Sequence, residues 1–207
     1  LIMRSYKLPG NRLRLLHPNE NRGAVTIDEE RDYHFRYVLE DNFGNRRTYQ
    51  FIVKGKRQDI PEYKPEANEM LYWNRTNVIQ KPGMELVVPR YYVYEDVPLR
   101  TDMRGDSSHI AFDYILDAGR TPIHSYCDLS IGLRHMPVAD TTKYYIVQKA
   151  GKWRSSMGGK YANGWIKTRV RSLGTFSVDV DTIAPQITPI GQGGWRTSRN
   201  IRFRIKD

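Results

Sequence analysis

The stretch GTFSVDVDTIAP, residues 174–185, decides how the chain is built. Apolar Phe176, Val178 and Val180 alternate with polar neighbours in its first half. An alternation of period two is typical of a half-buried β-strand. Pro185 lacks a backbone N–H and does not continue a central strand of a sheet. The stretch therefore predicts a strand that stops near residue 180, followed by a junction at which the chain crosses to a new sheet.

Other runs of the same kind occur on both sides of this stretch. Clusters of Gly, Pro, Asp and Asn separate them at roughly the 8–12-residue spacing of an all-β sandwich. No amphipathic helix of three turns or more is evident. The sequence therefore predicts an all-β protein made of consecutive immunoglobulin-like or fibronectin-like β-sandwich modules. The predicted strands lie at residues 84–89, 91–96, 109–116, 128–133, 143–148, 164–172 and 175–180.

The expected organisation has three parts. In residues 1–57, Phe35, Tyr37 and Leu39 alternate with polar residues, a DNFGN turn follows, and a second alternating run returns. This pattern predicts a hairpin, taken as the last strands of one sandwich. Residues 58–181 are long enough for a complete sandwich with its own core. Residues 182–207 are expected to be the first strands of a further module.

Charge and cysteine content limit the classes of function. The 207 residues include 33 Lys and Arg against 23 Asp and Glu, a net charge of +10. These cations are spread along the chain, which favours a solvated basic surface over a specific nucleic-acid site. No run approaches the ~18 apolar residues of a membrane-spanning helix. Cys127 is the only cysteine, which excludes an internal disulfide, and we expect a buried, inert thiol.

Five stretches occur in a characteristic order: LPGNRLRLL (8–16), YVLEDNFGNRRTYQFIVKG (37–55), VPRYYVYED (88–96), GRTPIHSYCDLSIGL (119–133) and LGTFSVDVDTIAP (173–185). In this order the chain resembles the immunoglobulin-like region that follows the catalytic domain of lysostaphin-type (LytM-like) zinc metalloendopeptidases from Bacteroidetes. The resemblance covers roughly residues 6–207. It implies an exported protein of the periplasm or cell surface of a Gram-negative bacterium.

Catalytic residues are not expected in this chain. Peptidases of that family hold zinc with an H-x-x-x-D pair and an H-x-H pair, because a catalytic zinc site needs three protein ligands and an open position. His109 and Asp113 have the first spacing, but none of the five histidines forms an H-x-H pair. We therefore expect both residues to be ordinary strand residues, with no metal, no cofactor and no enzymatic activity in this chain.

Aromatic residues beside polar loops are the best candidates for a binding site. The stretch KWRSSMGGKYANGW, residues 152–165, combines them with basic residues, a pattern found where sugar rings stack on exposed aromatic faces. The alternative is that these rings cover the edges of the sandwich and that the glycines form a hairpin loop. The candidate contacts for a glycan or protein partner are Trp153, Arg154, Lys160, Tyr161 and Trp165.

Two functions follow from these expectations. The first is a non-catalytic accessory or spacer region of a cell-envelope metallopeptidase, which positions the catalytic domain of the parent chain or contacts peptidoglycan or a protein partner. The second is a freestanding glycan-binding or adhesin-type surface module. An H-x-x-x-D … H-x-H domain upstream in the full-length protein would favour the first, and an exposed aromatic platform flanked by basic residues would favour the second.

Overall fold

The structure is a computed structural model that describes residues 6–12, 14–18, 20–59, 61, 66–106, 108–119 and 121–206. It is all-β, as the sequence predicts, and its strands are antiparallel throughout the described sheets. Short 3-10 turns lie at Asn21–Gly23, Thr141–Lys143 and Gln192–Gly194. The chain divides into two compact units, Leu1–Glu66 and Ala67–Asp207.

The first unit contains a long β-hairpin. Strand β1 (Asp32–Glu40) pairs with β2 (Arg46–Lys54), which confirms the hairpin predicted from the sequence. The Asp41 carboxylate closes the turn by accepting hydrogen bonds from the backbone N–H groups of Phe43 and Asn45, each at 2.9 Å. Along one face the aromatic rings stack, with 5.1 Å between the ring centroids of Phe35 and Phe51.

The second unit contains a β-sandwich of two antiparallel sheets. Its eleven strands are β3 (Glu69–Leu71), β4 (Asn77–Lys81), β5 (Met84–Val88), β6 (Val97–Arg104), β7 (Asp113–Asp117), β8 (Cys127–Gly132), β9 (Tyr144–Ala150), β10 (Trp153–Ser156), β11 (Lys160–Ala162), β12 (Trp165–Val170) and β13 (Gly174–Val180). The strand order of one sheet is β10-β9-β13-β7-β6-β3, and that of the other is β11-β12-β8-β5-β4.

A single apolar core lies between the two sheets. Alternate residues of each central strand point inward. In β5, for example, Met84, Leu86 and Val88 are buried, whereas Glu85 and Val87 are half-buried. The largest fully buried side chains are Tyr114, Tyr144, Phe176, Leu71, Met84, Leu86, Leu99, Leu116, Leu129, Ile131, Ile146 and Ile166. Because burial of each such side chain contributes about 1.5–3 kcal/mol, this core dominates the stability of the sandwich.

After β13 the chain forms a second hairpin. β13 ends at Val180, as expected from the position of Pro185, and the next strand, β14, begins at Gln186. β14 (Gln186–Ile190) pairs with β15 (Arg202–Lys206). The domain boundaries proposed at residues 57 and 181 remain predictions.

Of the predicted strands, the one at residues 91–96 is wrong, and the one at residues 109–116 begins only at Asp113. Residues 91–96 form bends rather than a strand: Tyr91 has φ 71°, and the Tyr92 N–H bonds back to the Pro89 carbonyl at 3.1 Å. Val93 fills the core at this crossing between sheets, which explains the alternating pattern without a strand. His109 precedes β7 and lies in a turn, so the expectation that it is a strand residue is also wrong.

Candidate ligand-binding site

The candidate stretch is built around a strand that passes from one sheet to the other. β10 is the edge of the six-stranded sheet and β11 is the edge of the five-stranded sheet. Between them, Met157 and Gly158 bond with the backbone of Ile146, while the Thr168 hydroxyl donates to the Met157 carbonyl at 2.7 Å. Gly158 and Gly159 therefore lie where the chain switches from one sheet to the other. The expectation of a hairpin loop at this position is wrong.

The hairpin turn lies instead at Asn163 and Gly164, whose φ angles are 49° and 84°. Two successive residues with positive φ are characteristic of the tight turn that joins antiparallel strands. This turn brings β11 and β12 together, with Ala162 directly opposite Trp165 and Lys160 directly opposite Lys167.

The switch separates the two tryptophans of the candidate stretch. Trp153 lies opposite Ala150 at the end of β9, whereas β11 lies near the beginning of β9. Extended chain rises about 3.3 Å per residue, so the nine residues from Trp153 to Ala162, which lies opposite Trp165, can span up to about 30 Å. We call the two ends of the sandwich the Trp153 end and the Trp165 end.

At the Trp153 end the predicted residues have little around them to form a pocket. Trp153 is 81% exposed. The Arg154 guanidinium is already paired, because its Nη1 lies 3.0 Å from an Asp179 carboxylate oxygen on β13. Trp153 and Arg154 therefore do not share a site with the other three candidates.

At the Trp165 end, Lys160, Trp165 and Lys167 share the outward face of the five-stranded sheet. Ile166 points into the core, so its neighbours on either side point outward. Tyr161 lies opposite Ile166 and thus on the inner face at the edge of the sheet. The structure therefore joins Lys160 to Trp165 and separates Tyr161 from both.

Trp165 lies above two glycines. A Cβ atom added to Gly132 would lie 3.6 Å from the indole ring and 3.7 Å from the Cα of Gly83. Since neither glycine has a side chain, the backbone leaves a notch at this point, and the partly exposed indole forms one of its walls. A cleft of about 480 Å³ opens there, lined by Pro82, Gly83, Phe112, Tyr114, Gly132, Leu133, Arg134, Asn163, Gly164 and Trp165.

Arg134 adds a positive charge to this cleft. Its guanidinium lies 4.1 Å from the Phe112 ring centroid, a cation–π contact, and also bonds to the Asp106 carbonyl. These contacts hold the exposed guanidinium beside the cleft. Sequence reasoning missed Arg134, because nothing in the sequence links it to a tryptophan 31 positions later.

Lys160 and Lys167 form an unfavourable pair. Their Cβ atoms are expected to lie about 4.5–5.5 Å apart, and like charges directly opposite each other destabilise a sheet. In the described part of the chain, neither ammonium group has a carboxylate within ion-pair distance. Sequence reasoning missed Lys167, although its position two residues after Trp165 in a strand would have placed both on one face.

The histidines and the cysteine are engaged elsewhere. His109 Nδ1 lies 3.0 Å from Asp106, and Asp113 is bonded to Lys149 at 2.6 Å, so the two residues of the H-x-x-x-D spacing have different partners. Hydrogen bonds from Ser108 and His109 lower the pKa of Asp106 to about 2. Among the described residues, no three His, Cys, Asp or Glu side chains are grouped to hold a metal ion.

Cys127 is fully buried, as predicted. Burial, together with the neighbouring Asp128 charge, raises the pKa of its thiol to about 11. Because the thiolate is the reactive form, such a thiol is a poor nucleophile at neutral pH.

The fold and the site define a β-sandwich module with a small basic and aromatic cleft at one end. A family model, the Zu5-like domain, matches residues 68–181, which include all eleven strands of the sandwich. The chain belongs to the Zu5-like domain family, which is not a known catalytic family. Comparisons with curated proteins and with solved structures give no match.

Proposed function

We propose that this chain is a non-catalytic accessory region of an exported bacterial cell-envelope peptidase, and that the cleft at Trp165 contacts peptidoglycan. One combination of features carries the proposal. The partly exposed Trp165 indole lies at the same end of the sandwich as the Arg134 guanidinium and the cross-strand neighbours Lys160 and Lys167, which have no carboxylate partner among the described residues. The order of stretches that resembles the lysostaphin-type peptidases supports the link to a peptidase.

The chemistry of peptidoglycan suits such a cleft. Sugar rings present apolar C–H faces that can stack on an indole, and the stem peptides carry carboxylates that attract Lys and Arg. A cleft of this size accommodates one or two sugar rings or a short peptide rather than a long polymer. An anion between Lys160 and Lys167 would also relieve the repulsion across the two strands.

The localisation rests on the same resemblance. We place the protein in the periplasm or at the cell surface. No described helix has the length and apolar character needed to cross a bilayer. The expected partners are peptidoglycan or a surface glycan, together with the catalytic domain of the parent chain.

The test is co-sedimentation of the full chain with insoluble peptidoglycan at low and at high salt. We expect binding that persists at high salt and falls about tenfold in Trp165→Ala, because removal of a central aromatic contact typically costs more than 1.4 kcal/mol. Trp153→Ala is the matched control, since it removes an exposed indole at the other end of the sandwich. It should bind as the wild type does.

Arg134→Gln provides a second variant that leaves the indole in place, and thermal unfolding of each variant verifies its fold. Equal losses in Trp165→Ala and Trp153→Ala, or binding that disappears at high salt, would contradict a specific site at Trp165. The alternative function, a freestanding glycan-binding or adhesin-type module, predicts that the encoded full-length protein lacks an H-x-x-x-D … H-x-H domain.

A further inference from the structure

The hairpin β14–β15 and its connection carry an unbalanced positive charge. Between residues 182 and 206 the sequence contains no Asp or Glu. In the same segment five side chains are basic and exposed, namely Arg196, Arg199, Arg202, Arg204 and Lys206. All the charged side chains of this segment are therefore positive.

Three of these cations form a straight row. In β15, Arg202, Arg204 and Lys206 alternate with Phe203 and Ile205, so that all three point to one face of the hairpin. Successive members of the row are about 6.7 Å apart along the strand. Their cross-strand partners on β14 are the neutral residues Ile190, Thr188 and Gln186.

Some outward-facing cations of the sandwich have a carboxylate partner, although Lys160 and Lys167 do not. On its six-stranded sheet, ion pairs join Lys149 to Asp113 at 2.6 Å, Arg100 to Asp117 at 3.2 Å, Arg104 to Asp102 at 3.3 Å and Arg154 to Asp179 at 3.0 Å. Within the described residues, none of the cations of the hairpin has such a partner. The row on β15 is thus exposed to an anionic ligand.

The two faces of the hairpin argue against a flat membrane as that molecule. The apolar side chains Ile187, Phe203 and Ile205 lie on the face opposite to the cations. A membrane-bound amphipathic element buries its apolar face and keeps its cations at the level of the headgroups. Here insertion of the apolar face would turn the row of cations away from the lipid surface.

The composition of the cationic face argues against single-stranded nucleic acid. Proteins that bind such strands combine cations with aromatic side chains on which the bases stack. The face that carries Arg202, Arg204 and Lys206 has no aromatic residue. The ring of Trp195 is not available for stacking there, because it packs against Phe203 with 5.3 Å between ring centroids.

We propose that the row formed by Arg202, Arg204 and Lys206 binds a linear anionic polysaccharide laid along β15. A row of cations at regular spacing matches a polymer whose carboxylates also repeat regularly, and it needs no stacking. This site is distinct from the cleft at Trp165 and does not depend on the function proposed for that cleft.

The experiment measures the binding of the full chain to polygalacturonate, which carries one carboxylate per sugar, with neutral dextran as the ligand control. We expect Arg202→Gln/Arg204→Gln/Lys206→Gln to weaken binding about tenfold or more, since each cation–anion contact releases counterions. The matched control, Lys143→Gln/Lys152→Gln/Arg171→Gln, removes three exposed cations from the sandwich. It should change the affinity less than twofold.

Arg202→Lys/Arg204→Lys keeps the charge of the row and should retain most of the affinity, and thermal unfolding verifies that all variants are folded. Equal losses in the two triple variants would overturn the proposal, because the attraction would then come from net charge alone. Binding to single-stranded DNA or to vesicles containing phosphatidylglycerol that is as tight as binding to polygalacturonate would also overturn it. The cleft variant Trp165→Ala should bind polygalacturonate as the wild type does.

Discussion

A Cβ atom at Gly159 would lie only 2.5 Å from the Cγ2 atom of Ile166, so the switch between the two sheets requires a glycine at this position. Gly159 also has φ 144°, a backbone conformation that residues with a side chain rarely adopt. Both constraints arise because the strand must leave β9 and reach β12 within three residues.

We therefore expect Gly159→Ala to lower the free energy of unfolding by about 2–4 kcal/mol, the combined cost of overpacking and backbone strain. Denaturant unfolding measures this change. Gly158→Ala is the matched control: it also has positive φ, at 65°, but a Cβ atom there meets nothing within 4 Å. It should cost about 1 kcal/mol.

A double variant separates the clash from the strain. Ile166→Ala removes the Cγ2 atom, so the loss in Gly159→Ala/Ile166→Ala should be smaller than the sum of the two single losses. Strict additivity would show that the contact between residues 159 and 166 is not the cause.

The same switch shows where the sequence is informative and where it is not. The run at residues 174–180 was predictable because it alternates cleanly, and the hairpin of β1 and β2 was predictable because a DNFGN turn joins two aromatic-rich runs. Apolar and polar residues alternate poorly between Trp153 and Ala162, because this segment pairs first with one sheet and then with the other. Neither the switch at Gly159 nor the separation of the two tryptophans could be read from local pattern.

The candidate binding site was predictable only in part for a similar reason. Lys160 and Trp165 belong to one hairpin, and local sequence brings them together. Phe112 reaches the same cleft from the connection between β6 and β7, and Arg134 reaches it from the connection between β8 and β9. Their approach depends on the packing of the whole sandwich. The row of cations on β15 depends on local pattern alone, because Arg202, Arg204 and Lys206 alternate with Phe203 and Ile205 in the sequence.

The stability of the sandwich should fall at high pH because of Tyr114. Its hydroxyl donates to the Pro82 carbonyl at 2.7 Å, and burial raises its pKa from 10.0 to about 12. Above pH 10 the unfolded chain loses this proton while the folded chain keeps it. The unfolded state then binds fewer protons, so stability decreases as the pH rises toward 12.

Denaturant unfolding across this range should show a decrease of at most about 1.4 kcal/mol per pH unit from this residue. Tyr114→Phe lacks the ionisable hydroxyl. It should lose about 1 kcal/mol at neutral pH with its hydrogen bond and show a shallower decline above pH 10. Parallel declines in the two proteins would mean that Tyr114 is not responsible.

Cys127 should be unreactive in the folded protein. Its side chain is fully buried and its raised pKa, about 11, leaves little thiolate at neutral pH. Reaction with an aromatic disulfide reagent should therefore be limited by opening of the sandwich and should accelerate sharply in denaturant. Lys152→Cys in a Cys127→Ala background places a thiol in an exposed turn and should react at once. Rapid labelling of the wild type without denaturant would contradict the buried position.

The pair formed by Lys160 and Lys167 offers a test in which stability and binding change in opposite directions. Lys167→Glu replaces a like-charge pair with an opposite-charge pair, so it should raise the free energy of unfolding by about 0.5–1 kcal/mol. It should also weaken co-sedimentation with peptidoglycan, because a carboxylate then faces the carboxylates of the ligand.

Arg169→Glu is the control on the same strand. It places two acidic residues opposite each other at Asp128 and should destabilise the sheet by a similar amount. If Lys167→Glu stabilises the protein and leaves its binding to peptidoglycan unchanged, the lysine pair takes no part in binding, and the contact proposed for the cleft must rest on Trp165 and Arg134 alone.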